Sequence, residues 1–214
     1  KKGCMFTKAL LPDTIRALKL VSKISVVKQS YLAGGTALAL HLGHRFSVDL
    51  DFFTPEVFDE KTLAGELKTL PEYKEDGTAW RTVWGKVGKT KFSLFYYQYP
   101  LIKKTIIFEG IHILQKEDIA AMKIHALEDR GTKRDFFDLY FLAKEFSLEE
   151  MLKFYDKKYG NLKEHIYIII RSLNYFADAE QDDDPKMLKK VSWDEVKKFF
   201  RDQTIKLAKS KLKI

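Results

Sequence analysis

Tyr31-Leu-Ala-Gly-Gly-Thr-Ala-Leu-Ala-Leu-His-Leu-Gly-His-Arg-Phe-Ser-Val-Asp-Leu-Asp-Phe-Phe53 is the stretch from which the rest of this sequence is read. Tyr31-Leu32-Ala33 has the apolar character of a short strand that stops at Gly34-Gly35. Thr36 then opens a helix through Leu42, and Gly43 ends it as a C-terminal cap. Ser47 to Phe53 alternates, with Val48, Leu50 and Phe52 on one face and Asp49, Asp51 and Phe53 on the other. Two carboxylates two residues apart on a strand project to the same side and repel. An ion such as Mg²⁺, which favours oxygen ligands and binds phosphates, keeps both ionised. Glycines between a strand and a helix let the backbone approach a phosphate at the positive end of the helix dipole. Thr36 reads two ways, as a hydroxyl for that phosphate or as the N-cap of its helix. The twelve residues between Thr36 and Asp49 allow one helix and a turn back, bringing phosphate cradle and metal pair to one sheet edge.

Working outward, Pro12-Asp13-Thr14 opens an amphipathic helix that runs to about Lys28. After Pro55 a helix spans Phe58 to Leu70. From Glu72 to Ile113 the pattern has period two, through Trp80–Trp84, Lys91–Tyr97 and Ile106–Phe108, with hairpin turns at Asp76-Gly77 and Gly88-Lys89. Beyond Leu114 the chain reads as helical. Ser147-x-x-Glu150 and Ser192-x-x-Glu195 are capping boxes, and Asp182-Asp183-Asp184-Pro185 breaks the chain between the last two helices. The expected class is α+β: a mixed sheet with flanking helices over residues 1–114, then a C-terminal helical bundle over residues 115–214.

Lys and Arg total 38 against 30 Asp and Glu, a net charge of +8 over 214 residues. That excess favours polyanionic partners such as RNA, DNA or nucleotides, or it is a solvated Lys-rich surface. Cys4 is the one cysteine, so a monomer has no disulfide framework and no cysteine-based zinc site, which fits a reducing cytoplasm. The first residues carry no apolar core of a signal peptide. The run from Ile166 to Ile170 is far shorter than the ~20 apolar residues of a membrane span. No membrane association is expected.

Residues 31–53 resemble the AbiEii/AbiGii toxin family of nucleotidyltransferases, within the polymerase-β-like superfamily. So do residues 118–140, Asp118-Ile-Ala-Ala-Met-Lys-Ile-His-Ala-Leu-Glu-Asp-Arg-Gly-Thr-Lys-Arg-Asp-Phe-Phe-Asp-Leu-Tyr140, and Ser192 to Phe200 near the end. The resemblance implies a polymerase-β-like sheet in which Gly34, Gly35 and Thr36 bind a nucleoside triphosphate. It implies that Asp49 and Asp51 hold Mg²⁺ or Mn²⁺. It further implies transfer of a nucleotide to an acceptor hydroxyl, with tRNA or other RNA among the acceptors, in a toxin–antitoxin or abortive-infection system with a cognate antitoxin. On a helix from Glu117 to about Arg130, Lys123, Leu127 and Arg130 share a face. Lys123 and Arg130 would neutralise a triphosphate and the leaving pyrophosphate. Lys123 sits among Ile119, Met122 and Ile124, so it needs an anion: a ligand phosphate, or a protein carboxylate such as Asp118, Glu128 or Asp135. Arg45, after His44, reads either as a substrate contact or as a brace for the loop before the Asp strand.

One departure stands out. Polymerase-β-type enzymes usually supply a third carboxylate from a neighbouring strand, and the strand in that place, Lys91–Tyr97, has Ser93 instead. Glu75, Asp76 or Asp135 substitutes, or acceptor activation is weak, or the protein binds nucleotide or RNA without transferring anything. A sugar-nucleotide glycosyltransferase also uses Asp-x-Asp, but the Gly-Gly-Thr spacing argues against one.

Overall fold

The computed structural model describes residues 5–212, so the readings placed on Cys4 and on the first residues lie outside the described part. The chain forms two compact units, Lys1–Gln115 and Lys116–Ile214.

In the first unit, α1 (Pro12–Val21) starts on proline and buries Thr14, Ala17, Leu18 and Val21. These sit at the spacing that lines one helical face. The single helix expected to about Lys28 is in fact two, because Ile24 is extended and buried before α2 (Ser25–Gln29) begins. Burying this β-branched side chain in the core outweighs continuing the helix. There follow β1 (Tyr31–Leu32), α3 (Gly34–Leu42), β2 (Leu50–Thr54) and α4 (Glu60–Lys68), the last N-capped by Asp59. Next come β3 (Tyr73–Ala79), β4 (Thr82–Val87), β5 (Thr90–Tyr96), β6 (Ile106–Phe108) and β7 (Ile111–Ile113).

All seven strands form one mixed sheet in the order β3-β4-β5-β2-β1-β7-β6. Strands β1/β7 and β2/β5 are parallel, and the other pairs are antiparallel. Along β2 and β5, Leu50, Phe52, Phe92 and Leu94 are fully buried, while Asp51, Phe53, Ser93 and Phe95 on the other face are half-buried. The turn at Gly88-Lys89 forms as expected, with Gly88 at φ 60°. The turn expected at Asp76-Gly77 does not. Both residues lie inside β3, at a shift of register between Glu75 and Gly77, and the chain reverses at Trp80-Arg81 instead. A Cβ on Gly77 would collide with the Trp84 ring across the strand pair, so this glycine makes room for a side chain rather than bending the chain.

The second unit is helical: α5 (Lys116–Asp129), α6 (Lys133–Leu142), α7 (Leu148–Tyr159), α8 (Leu162–Ser172) and α9 (Trp193–Leu212). Helix α5 packs against α6, α7 and α8, and α9 against α6 and α8. Both capping boxes are present, at Ser147/Glu150 and Ser192/Glu195. Phe136 anchors an aromatic cluster with Phe176, Trp193 and Phe200. The acidic break before Pro185 is tied down, since Asp182 accepts the Lys133 amide and Lys133 Nζ bonds the Asp182 carbonyl and Asp184. Among the described residues no helix is long and apolar enough to cross a membrane.

Candidate active site

The central strand β1 pairs with β2 through Tyr31↔Phe53 and Leu32↔Phe52. The Ala33 amide then donates to the Asp51 carbonyl at 2.9 Å. The chain enters α3 at Gly34 with φ +64°, where a Cβ would be strained and would stand 3.1 Å from Asp51 Oδ2. The glycine turn and the carboxylate strand therefore meet directly.

The helix starts two residues earlier than expected, with Ala33 as its N-cap, so Thr36 does not cap it. The Thr36 hydroxyl is buried and used internally, donating to the Asp49 carbonyl and bonding the Ser47 hydroxyl at 2.9 Å. It pins the segment that carries Asp49 to the helix that follows the turn. The backbone N–H groups of Gly35 and Thr36 remain among the first-turn amides without a partner inside the helix.

Asp49 and Asp51 are both half-buried, Asp51 within β2 and Asp49 just before it. The strand begins at Leu50 rather than Ser47, and Val48 is 39% exposed instead of sharing the buried face of Leu50 and Phe52. The reason is that Ser47 pairs elsewhere, its amide donating to the Ala9 carbonyl. In the β2/β5 ladder Asp51 stands opposite Ser93. The position of the expected third carboxylate is thus a hydroxyl. Glu75 and Asp76 cannot replace it from β3, which is three strand spacings from β2, roughly 14 Å. Glu75 faces Lys68 at 2.9 Å instead.

Among the described residues no three His, Cys, Asp or Glu side chains gather as a metal cage. Asp49 and Asp51, with Asp51 beside the glycine turn, fit the donor set of Mg²⁺, which is commonly held by one or two carboxylates plus substrate phosphates and water.

Arg45 is buried and donates to the Phe46 carbonyl at 3.0 Å. A Cβ on Gly35 would overlap the Arg45 guanidinium and lie 3.3 Å from Ser47 Oγ. Gly35 itself is outside the left-handed region, so the positive φ belongs to Gly34 alone in this pair. Space for Arg45 is what Gly35 supplies, and the arginine braces the turn. We expect Gly35→Val to displace Arg45 and raise the triphosphate Kd at least about tenfold, the loss of roughly one charge-assisted hydrogen bond. Titration calorimetry beside thermal unfolding checks this; a folded variant with unchanged Kd makes the turn purely structural.

In the helical unit, Lys123 Nζ lies 2.8 Å from Asp135 and 2.5 Å from Asp138, all three buried. Asp135 also accepts from Arg130 Nε at 3.1 Å and Thr132 Oγ1 at 2.6 Å. Burial pushes the Asp135 carboxyl upward, but Lys123, Arg130 and the hydrogen bonds prevail and hold it at about 2. Of the other carboxylates considered for Lys123, Asp118 pairs with Lys158 at 2.9 Å, both fully buried. Glu128 accepts from Tyr155 and bonds His165, each at 2.8 Å.

A carboxylate whose folded pKa is depressed contributes stability that is present above its unfolded value and lost as pH falls through the folded one. For Asp135 that window runs from near 4 down to about 2. Asp135→Asn should therefore remove about 2 kcal/mol of stability at pH 7 and flatten the acid limb of the pH–stability curve there. An unchanged acid limb in urea titrations refutes the assignment.

Residues 19–100 and 98–208 match the family described as the nucleotidyl transferase AbiEii toxin of a type IV toxin–antitoxin system. The chain belongs to the AbiEii nucleotidyltransferase toxin family. This AbiEii-family chain is similar to an uncharacterized protein of Aquifex aeolicus (strain VF5), with 38% identity over 191 residues, covering 86% of the chain and 91% of that relative. Its fold is similar to that of MenT4, a nucleotidyltransferase toxin from Mycobacterium tuberculosis H37Rv, with a TM-score of 0.62 and 17% identity, over 92% of this chain and 82% of the other. It is also similar to JHP933 from Helicobacter pylori, with a TM-score of 0.52 and 23% identity, over 95% of each chain. The protein is a nucleotidyltransferase with the expected mixed sheet and helical C-terminal region.

Asp135 and Asp138, a turn apart on one helix, read from the sequence as helix-to-helix salt-bridging residues, and both bridge to Lys123; that Asp138 is the second partner of Lys123 was not read. The buried Lys158–Asp118 pair joins residues 40 positions apart and left no local signal.

Proposed function

We propose that this AbiEii-family enzyme transfers a nucleotide from a nucleoside triphosphate to an acceptor hydroxyl on RNA, tRNA included, in a divalent-metal-dependent reaction. Asp49 and Asp51 hold Mg²⁺ or Mn²⁺, and the first-turn amides at Gly34, Gly35 and Thr36 hold the β- and γ-phosphates at the helix N-terminus. When bound, the metal neutralises phosphate charge. Arg45 keeps the turn in shape beneath the phosphates. Lys123 and Arg130 are balanced by Asp135 and Asp138 within the helical unit, so their part in this reading is to tie α5 to α6. The acceptor oxygen bonds to the α-phosphorus, the bond from that phosphorus to the bridging oxygen breaks, and pyrophosphate leaves with the electron pair.

Asp135 already accepts from Lys123, Arg130 and Thr132 within the helical unit, so this reading gives it no role as the base. With Ser93 opposite Asp51, the acceptor proton passes to water, and rate comes from positioning and charge neutralisation. The observation that carries this reading is the approach of Gly34 to the Asp51 carboxylate. The physiological setting we propose is the cytoplasm, with a cognate antitoxin as partner.

The test is to incubate the protein with each labelled triphosphate, Mg²⁺ and total RNA, with and without chelator. Chelator-sensitive label in RNA supports the reading. Triphosphate binding with no label in any RNA sinks it in favour of a binding protein, the reading that Ser93 favours.

A further inference from the structure

The β3–β4 hairpin reverses in two residues, Trp80-Arg81, between the paired Ala79 and Thr82. Such turns ordinarily use Asn, Asp or Gly, which tolerate the positive φ that closes them. Here Arg81 adopts φ +50°, a conformation disfavoured for a residue with a Cβ. Trp80 beside it is 74% exposed. The turn thus places a large aromatic and a cation where local sequence preference would place small polar residues, and strain of this kind concentrates at functional sites.

The tip is built. The Arg81 guanidinium carbon sits 4.5 Å from the Trp80 ring centre and 4.6 Å from that of Tyr96, with the rings 6.1 Å apart at 77°. The Arg81 amide donates to the Glu60 carboxylate, and the Arg81 carbonyl accepts from the Tyr96 amide at 3.0 Å. Thr78 and Ala79 next to the tip are exposed and small, so no apolar patch of the size a protein interface buries extends from Trp80 along its own strand. A single exposed indole with a guanidinium behind it matches a different ligand: a flat, polarisable base carrying a phosphate.

We propose that Trp80, Arg81 and Tyr96 form a stacking platform for an unpaired base of single-stranded RNA, with Arg81 serving the adjacent phosphate. Every base has a π-face, so the platform is tolerant of sequence, whereas duplex bases are already stacked and offer none. The net charge of +8 adds the long-range attraction such binding uses. Tyr96 follows Ser93 by three residues along β5, so alternation puts it on the opposite face of the sheet from Ser93 and Asp51, and the platform takes a base away from the reacting end of the RNA. This inference deepens the RNA-acceptor reading, and RNA binding is measured without triphosphate or metal, so its failure is distinguishable from failure of nucleotide transfer.

The test is fluorescence anisotropy of an end-labelled ten-nucleotide A/U RNA, single-stranded and as a duplex. Trp80→Ala should weaken single-strand binding roughly 5- to 100-fold with thermal unfolding unchanged, and Trp80→Phe should restore most of it. Duplex binding should change little. Wild-type tryptophan emission should fall on adding the single strand, and that fall should be missing from Trp80→Phe, a readout that survives if the Ala variant does not fold. Unchanged single-strand affinity in Trp80→Ala overturns the proposal. So does an equal loss on duplex, or a loss confined to association with a protein partner.

Discussion

Replacing Asp49 and Asp51 together by Asn should lower Mg²⁺-dependent nucleotide transfer at least about a thousandfold. The figure follows from a metal site contributing several kcal/mol to the transition state, at 1.36 kcal/mol per factor of ten. Asp51 sits beside the glycine turn, where the positive φ of Gly34 disfavours any side chain, and Asp49 is tied to the same helix through its carbonyl and Thr36. Asn keeps the shape and removes the charge, so the turn and its amides should survive. Two clustered negative charges repel when no cation lies between them, so thermal unfolding without metal should hold or rise. The stabilisation that Mg²⁺ and triphosphate give the wild type should vanish, because a ligand stabilises only a state that binds it. Labelled-nucleotide incorporation and thermal shift read both effects. A double variant that incorporates label like wild type removes Asp49 and Asp51 from the metal site.

Lys123→Met should cost about 3–5 kcal/mol of stability in the helical unit, the usual cost of removing one partner from a buried ion pair. Lys123 stands between Asp135 and Asp138, and without it two buried carboxylates share one pocket. Urea unfolding followed by helical signal measures the loss. Replacing all three charges by apolar residues of similar volume should recover most of it. Lys123→Arg should retain part, since the charge stays but the guanidinium fork fits a lysine's pocket poorly. The same variants separate two roles for Lys123. If it serves phosphate, the folded Lys123→Arg protein loses triphosphate affinity more than monophosphate affinity; equal affinities make the cluster purely structural. A Lys123→Met protein as stable as wild type would refute the cluster itself.

Local chemistry made part of this protein legible from its sequence. Gly43 takes the left-handed C-cap of α3, Gly88 turns β4 into β5, and Ser147 and Ser192 cap their helices with Glu150 and Glu195. Each depends on groups within about four residues of one another, so the sequence carries the whole interaction. The alternation around Leu50 and Phe52 likewise announced a strand with Asp51 on its open face. The family motifs, read as continuous runs, belong to the same class of information. Where the reading failed, a distant partner had intervened. Ile24 broke the first helix because the core took its side chain, and Asp76-Gly77 stayed in β3 because Gly77 lies under Trp84. Thr36 lost its capping role to Ser47 and Asp49, and Gly35 proved to be space for Arg45. Strand order, which puts β3 at the edge and β5 beside β2, removed Glu75 and Asp76 and set Ser93 against Asp51. Periodicity specifies which face of an element is buried, but it says nothing of which element covers that face; packing among residues far apart in sequence decides that, and with it the neighbours of every functional side chain.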